Sequence, residues 1–402
     1  MSSPELDEVS PLLRGYTDVP VNHGYQVFHL RGDSVIKIKK THWNIFLTII
    51  TVLSSLMMNV TLPLYSNAMT KEGHSEYPVI LLSAMWFPLF FFGIVLFAKF
   101  LSPSMSLRSS VSHRMMVFVG FLNAINGILV VYASNTARTP PALQAILSTS
   151  VIPFTVVSRY IMLRKGVSKH RFVCTVIVLI GLFISLEPTI FNIDGSNGSA
   201  DNPDNLTPFE KFLWPMVFMF GFLPLGILNT VLEKELKKGE TESLLFLAWS
   251  QLYSFIFIGL LFWTDFIKGF GLSHNFETFW DNLKYGFSCQ YGMDEACHSA
   301  VGTSWLFIFG YCMANLMVFL LVKFSEGAVY LVVVQAMVTP LGAFYWTFFE
   351  PAPFRWEPHI LQLSTFFIML GIAIMVPAVA MYNYFGMKEE REKQPLFLQT
   401  DD

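Results

Sequence analysis

The sequence predicts an all-α membrane protein, ten transmembrane helices arranged as two inverted five-helix repeats. Three observations predict it. The 402 residues are 53% hydrophobic and only 14% charged, with Phe alone occurring 40 times, whereas a soluble domain carries about 25% charged residues. Apolar segments long enough to cross a bilayer, about 20 residues for about 30 Å of hydrocarbon, recur almost from end to end. The second five of these segments echo the first five. The formal net charge of −3 and the absence of a basic, groove-forming stretch point away from a nucleic-acid partner.

The chain opens with a polar tail, residues 1–42, without the early apolar core of a cleaved signal peptide, and this tail is expected to stay in the cytosol. Within it Glu8, Leu12 and Leu13 have the acidic dileucine spacing that clathrin adaptors read on endosomal and lysosomal proteins; the bland alternative is a chance match in a short acidic tail. The first repeat, residues 43–190, holds spans near Trp43–Met69, Val79–Leu101, Arg114–Ser134, Pro140–Leu163 and Phe172–Glu187. A polar loop, residues 191–210, follows and carries the sequons at Asn197 and Asn205, both expected on the lumenal side as glycosylation acceptors. A third match at Asn59 lies inside the first span and is not expected to be modified.

The second repeat, residues 211–385, holds spans near Phe212–Leu232, Leu244–Phe266, Thr303–Val322, Gly327–Phe349 and Leu361–Phe385, and it is interrupted by a loop at 267–302. That loop bears Cys289 and Cys297, which an oxidising lumen would favour pairing; two free thiols are the alternative left open by spacing alone. Residues 386–402 form a second cytosolic tail. Of the 26 Lys and Arg, only Lys71, Arg138, Lys211, Lys268, Lys284 and Arg355 fall on the lumenal side and Arg159 within a span; the rest are cytosolic, as the positive-inside rule requires.

The repeat is legible in two places. The fourth span has Gln144-Ala145 followed by Thr149 and Pro153, and the ninth has Gln335-Ala336 followed by Thr339 and Pro340. The fifth runs from Gly181 to Pro188 and the tenth from Gly371 to Pro377. Five spans per half is odd, so the halves insert in opposite orientations. Pro153 and Pro340 remove a backbone donor and are expected to kink helices that face a cavity, or else to be simple structural bends.

Polar side chains inside spans mark the expected solute cavity: Asn59, Asn123, Asn126, Gln144, Ser148, Thr149, Asn229, Asn315, Gln335 and Thr339. Gln144 with Ser148, and Gln335 with Thr339, are four apart and so share a helix face. For the single Asn residues, hydrogen bonding that merely holds the bundle together is an equal alternative. Glu187 and Glu350 close the fifth and ninth spans and are the acids expected to exchange protons with an acidic lumen, against the reading of ordinary hydrated boundary residues. Arg159 is expected to snorkel to lipid headgroups. No phosphate loop, HExxH zinc motif or nucleophile elbow is present, and the lumenal histidines lack metal-ligand spacing, so neither an enzyme nor a metal or cofactor is expected.

The segment Phe279 to Cys289, with Trp280, an Asn282-Leu283-Lys284 step and Gly286-Phe287, resembles the lumenal helix of the chloroquine-resistance-transporter-like (CRT-like) family in the drug/metabolite transporter superfamily. Gln144 to Arg164, Gly181 to Glu187, Asn315 and the Lys323-Phe324-Ser325 step extend the resemblance over roughly residues 43–385. The resemblance implies the drug/metabolite transporter fold, alternating access, and proton-dependent export of amino acids and small peptides from a lysosome, endosome or vacuole. It implies a bond between Cys289 and Cys297. The parasite members carry acids where this chain has Asn123 and Ala314, a departure that bears on cation preference and coupling. Plant members imply thiol peptides as another substrate class. A nucleotide-sugar or other metabolite carrier, and a membrane scaffold that transports nothing, are the competing readings.

Overall fold

The computed structural model describes residues 25–29, 35–70, 73–101, 107, 111–163, 168–191, 207–236, 243–324, 331, 334, 335, 337–349, 355, 356 and 363–397. Eight helical segments are long and apolar enough to span a membrane: His42–Met69, Tyr77–Leu101, His113–Ala133, Pro141–Met162, Phe209–Leu232, Leu244–Phe266, Ser299–Leu321 and Thr365–Tyr382. They coincide with the expected spans one to four, six to eight and ten. The chain is a multi-pass helical membrane protein.

One element precedes the first span that the sequence analysis does not anticipate. Strands β1, Tyr25–His29, and β2, Val35–Lys39, pair antiparallel with Tyr25 opposite Lys39 and His29 opposite Val35. In β2 the β-branched Ile36 and Ile38 alternate with Lys37 and Lys39, the pattern of a half-buried ribbon, while β1 is rich in β-branched and aromatic residues, Tyr25, Val27 and Phe28. Helix α1, Lys40–Met69, starts directly from β2. Its hydroxyls are satisfied internally: Thr51 Oγ1 donates to Leu47 O and Thr61 Oγ1 to Met57 O, each at 2.7 Å, which removes the cost of a bare hydroxyl in lipid.

Helices α2, Tyr77–Leu101, and α3, His113–Ala133, follow. The fourth span is broken into α4, Pro141–Leu147, a 3-10 turn at Ser148–Ser150, and α5, Val151–Leu163. Pro153 explains the break, because its ring lacks an N–H and crowds the carbonyl one turn earlier, at Thr149. Then come α6, Lys169–Phe191; α7, Pro208–Leu236; and α8, Ser243–Leu260, extended by a 3-10 turn at Phe262–Phe266. Helix α9 spans Phe276–Gln290, α10 Ser299–Phe324, α11 Val338–Phe348 and α12 Leu363–Phe397. In the ninth span, helical residues 331, 334 and 335 are followed by a turn at Met337 and by α11, so Pro340 sits in the first turn of α11, where its missing N–H leaves no helical bond unmade.

The packing partners recur in a regular way. Helix α1 lies along α10, and α3 lies along α7; α2 packs on α8, α4 on α11 and α6 on α12. Close approach at these contacts depends on small residues. A methyl group on Gly120 of α3 would stand 2.6 Å from Tyr253 Cβ and 2.9 Å from the Ser254 nitrogen of α8, so backbone occupies the space a side chain would need. A Cβ on Gly286 of α9 would collide with Pro78 at the start of α2. Helix α9 is closed at its start by a capping box: Asn275 Oδ1 accepts from the Thr278 backbone at 2.8 Å, and Thr278 Oγ1 accepts from Asn275 N at 3.2 Å.

Candidate functional site

Two polar constellations stand out, one at mid-height of the bundle and one at the end that carries α9. The mid-height group is contributed by α2, α3, α8 and α10, each close to the middle of its own helix. Asn123 Nδ2 donates toward Ser254 Oγ at 3.1 Å, Gln251 Oε1 at 3.3 Å and Tyr311 Oη at 3.3 Å, while Gln251 Nε2 reaches Tyr311 Oη at 3.4 Å. Two amides and two hydroxyls supply both donors and acceptors here, so their hydrogens can be shared among the four side chains in more than one way. Phe87 stacks on Tyr311 with ring centroids 4.0 Å apart, walling one side. No formal charge belongs to this group of side chains.

At the α9 end the residues are charged. Glu76, 1% exposed, pairs with Arg138 at 3.2 Å, and its Oε1 accepts from Asn135 Nδ2 at 3.1 Å. Arg138 also donates to the Tyr132 carbonyl at 2.7 Å and the Phe270 carbonyl at 3.3 Å, and its guanidinium lies 3.9 Å over the Trp214 ring. Asp265 is fully buried; its Oδ1 accepts from Ser75 and, at 2.8 Å, from Tyr132, and its Oδ2 accepts from Ser273. Asn282 Nδ2 donates to Ser273 Oγ at 3.0 Å and its Oδ1 meets His74 Nδ1 at 2.8 Å. Burial raises the Glu76 carboxyl above its ordinary range; Arg138, the residue's own backbone N–H and the Asn135 bond oppose this, and Asp265 adds to it. Nearby, Cys289 and Cys297 are joined by a disulfide with Cα atoms 5.3 Å apart.

The expected cavity residues fall into several environments. Asn123 lies in the mid-height group. Asn126 Nδ2 donates to the Gly221 carbonyl at 2.8 Å and so ties α3 to α7. Gln144 is buried, with Nε2 donating to the Ser134 carbonyl at 2.7 Å and the Thr139 carbonyl at 2.8 Å; both amide hydrogens are used inside the fold, closing the end of α3. Ser148 Oγ donates to Ala145 O at 2.7 Å and Asn315 Nδ2 to Tyr311 O at 2.9 Å, each within its own helix. Thr149 and Thr339 line one small space together with Ile372, Met375, Val376 and Val379, and Thr149 Oγ1 is 3.8 Å from Met375 Sδ. Asn59, Asn229 and Gln335 are half-buried in their helices.

Other sequence candidates fall elsewhere. The side chain of Glu187, and all of Glu350, Asn197, Asn205, Glu8, Leu12 and Leu13, lie outside the described residues. Among the described residues, no group of His, Cys, Asp or Glu has the arrangement of a metal site.

Sequence reasoning missed Gln251, Ser254 and Tyr311, although the rule that singled out Asn123, a polar group inside a span, applies equally to Gln251. It also passed over Glu76 and over Asp265, which sits at the end of a span, and placed Arg138 only as a lumenal charge; the pairing of Glu76 with Arg138 depends on which loops meet, and nothing local encodes that.

A helical bundle with eight segments able to span a membrane and polar side chains gathered at mid-height belongs to the class of polytopic membrane proteins. The profile of the CRT-like, chloroquine-resistance transporter-like family matches residues 45–375, and the chain belongs to that family. It is similar to Crt homolog 3 of Dictyostelium discoideum, 25% identical over 199 residues, which is 50% of this chain and 39% of that protein. It is likewise similar to Crt homolog 1 of the same organism, 25% identical over 193 residues, 48% of this chain and 38% of that protein. The matched region thus spans less than half the length of these curated relatives.

Proposed function

We propose that the protein is a secondary active transporter that moves small polar solutes, amino acids or short peptides, between an acidic organelle lumen and the cytosol by alternating access. The observation that carries this reading is the mid-height group of Asn123, Gln251, Ser254 and Tyr311. An uncharged site of amides and hydroxyls, offering acceptors as well as donors, suits the polar ends of a zwitterion, and the stacked pair Phe87 and Tyr311 gives an apolar wall. Protons are the coupling ion in this reading.

In this account the architecture is ten helices in two inverted halves. What supports it is the packing: α1 on α10 and α3 on α7 are the contacts a repeat twofold would exchange, and α2 with α8, α4 with α11 and α6 with α12 are pairs it would map onto themselves. The two halves rock about the mid-height group, with both termini cytosolic and the α9 end lumenal. An oxidising lumen accounts for the bond between Cys289 and Cys297. Arrival at an endolysosomal membrane through Glu8, Leu12 and Leu13, and glycosylation at Asn197 and Asn205, belong to the same reading.

The test is mutational. In proteoliposomes, Asn123→Leu and Tyr311→Phe should each lower solute flux tenfold or more, by about 1.4 kcal/mol per tenfold step, while the protein remains monodisperse. Unchanged flux in both variants would remove this group from the path. The same variants losing fold instead of flux would favour the non-transporting scaffold.

A further inference from the structure

The buried acid Glu76 has no role in the mid-height site, and its surroundings are unusual for a structural ion pair. Its Oε1 takes both of its bonds, from Arg138 and Asn135, while Oε2 is buried and accepts from no described residue. Asp265, the other buried acid of this cluster, has hydroxyl donors on both oxygens. A proton entering the cluster therefore finds its unengaged carboxylate lone pairs on Glu76. Glu76 has one guanidinium partner, Arg138, and lies close enough to the buried Asp265 to feel its charge, so the ionised pair of acids is only half neutralised in a buried place, which favours taking up a proton.

We propose that Glu76 is the proton-binding residue on the α9 side of the transporter, with Arg138 as its charge partner and the joint between the α1–α2 and α3–α4 turns as the part its protonation loosens. This deepens the transport reading given above and rests on it for its purpose. When Oε2 gains a proton, the pair with Arg138 falls from an ion pair to a charge-to-dipole contact. Arg138 keeps its two carbonyls and Trp214, so it stays with α3, α7 and the α8–α9 connection. What loses a contact is the start of α2. That segment is still held by Ser75 on Asp265, by His74 on Asn282, by Tyr77 Oη on the Ile258 carbonyl at 2.9 Å and by the Asn135 amide, which also reaches Thr70 Oγ1 at 3.3 Å, so protonation loosens it without freeing it. One protonation thus weakens the tie between the α1–α2 and α3–α4 turns at the α9 end of the bundle, where an end closure would have to give during alternating access.

The charged and titratable groups facing Glu76 act consistently with this. Arg138 holds the proton off, Asp265 favours it, and desolvation favours it most. Tyr132 is bonded to Asp265 rather than to Glu76. His74, two positions earlier in the chain, is turned away, bonded to Asn282 and stacked 3.7 Å from Tyr285.

The test needs no solute. Infrared difference spectra of the purified full chain in lipid nanodiscs, taken from about pH 7.5 to about pH 4.5 across the carboxyl range, should show a protonated-carboxyl band that appears above the ordinary glutamate midpoint. Glu76→Gln should delete that band, and hydrogen exchange around residues 70–77 should lose its pH dependence. A band that persists in Glu76→Gln, or no such band in the wild type, overturns the proposal. If Glu76→Gln does not fold, Glu76→Asp decides: the shorter acid must move the band's midpoint, and an unmoved midpoint overturns it. Failure here leaves the transport reading standing, and failure of solute flux leaves the proton site standing.

Discussion

Gly120→Ala tests whether α3 and α8 are as close at mid-height as the polar group there requires. The added methyl would lie 2.6 Å from Tyr253 Cβ and 2.9 Å from the Ser254 backbone nitrogen. An unstrained contact needs about 3.6 Å, so one helix must retreat by roughly 1 Å. Asn123 donates to Ser254 at 3.1 Å and to Gln251 at 3.3 Å, and a retreat of that size takes both beyond hydrogen-bonding reach. Overpacking costs about 1–3 kcal/mol, and two lost interhelical bonds add about 0.6 kcal/mol each. Against this, Ala gains about 1 kcal/mol of helix propensity over Gly. The balance is a loss of about 1–3 kcal/mol, a fall of several degrees in Tm for a chain of this size. The assay is thermal unfolding of purified protein followed by tryptophan fluorescence, with Gly93→Ala as control, because a methyl there meets nothing within 4 Å. A Tm for Gly120→Ala equal to or above that of Gly93→Ala would refute the reasoning.

Three further outcomes follow from named contacts. Because the folded carboxyl of Glu76 is raised, wild type gains stability as pH falls through that folded value, so the Tm advantage of Glu76→Gln over wild type should shrink on acidification; a difference that is flat with pH contradicts the shift. Removing the disulfide as the double Cys289→Ser, Cys297→Ser variant releases a link of sequence separation 8 and should cost about 2–3 kcal/mol, read as a lower Tm under non-reducing conditions. Gln144→Leu leaves the Ser134 and Thr139 carbonyls without their buried donor, at about 1–3 kcal/mol each, so it should lower Tm by several degrees, and a stable variant with altered solute preference would instead give Gln144 to the path.

What the sequence carries and what it does not divide along a physical line. Hydropathy is a local property, so the spans are legible to within a few residues: Val79–Leu101 by expectation against Tyr77–Leu101 in the structure, for example. Pro153 is local too, and the 3-10 turn at Ser148–Ser150 sits where its missing N–H places it. The polar residues were legible as polar and buried, but their partners were not. Gln144 and Gln335 look equivalent in sequence because each precedes a Thr and a Pro, yet Gln144 closes the end of α3 through carbonyls that precede it in the chain. The cluster of Glu76, Arg138 and Asp265 joins three separate loops, and separations of that kind leave no periodicity to read. The β1–β2 ribbon was missed because only β2 alternates, and five-residue strands beside long apolar helices are a weak signal.

The central claim, that this bundle carries polar solutes on a proton gradient, is tested most directly by flux into or out of proteoliposomes of the purified full chain with an acid interior, screened over amino acids, short peptides, glutathione and organic cations. The account predicts saturable flux of at least one amino acid or peptide that collapses when the pH gradient is dissipated. Folded, correctly inserted protein that moves none of these solutes with the gradient in place would contradict it.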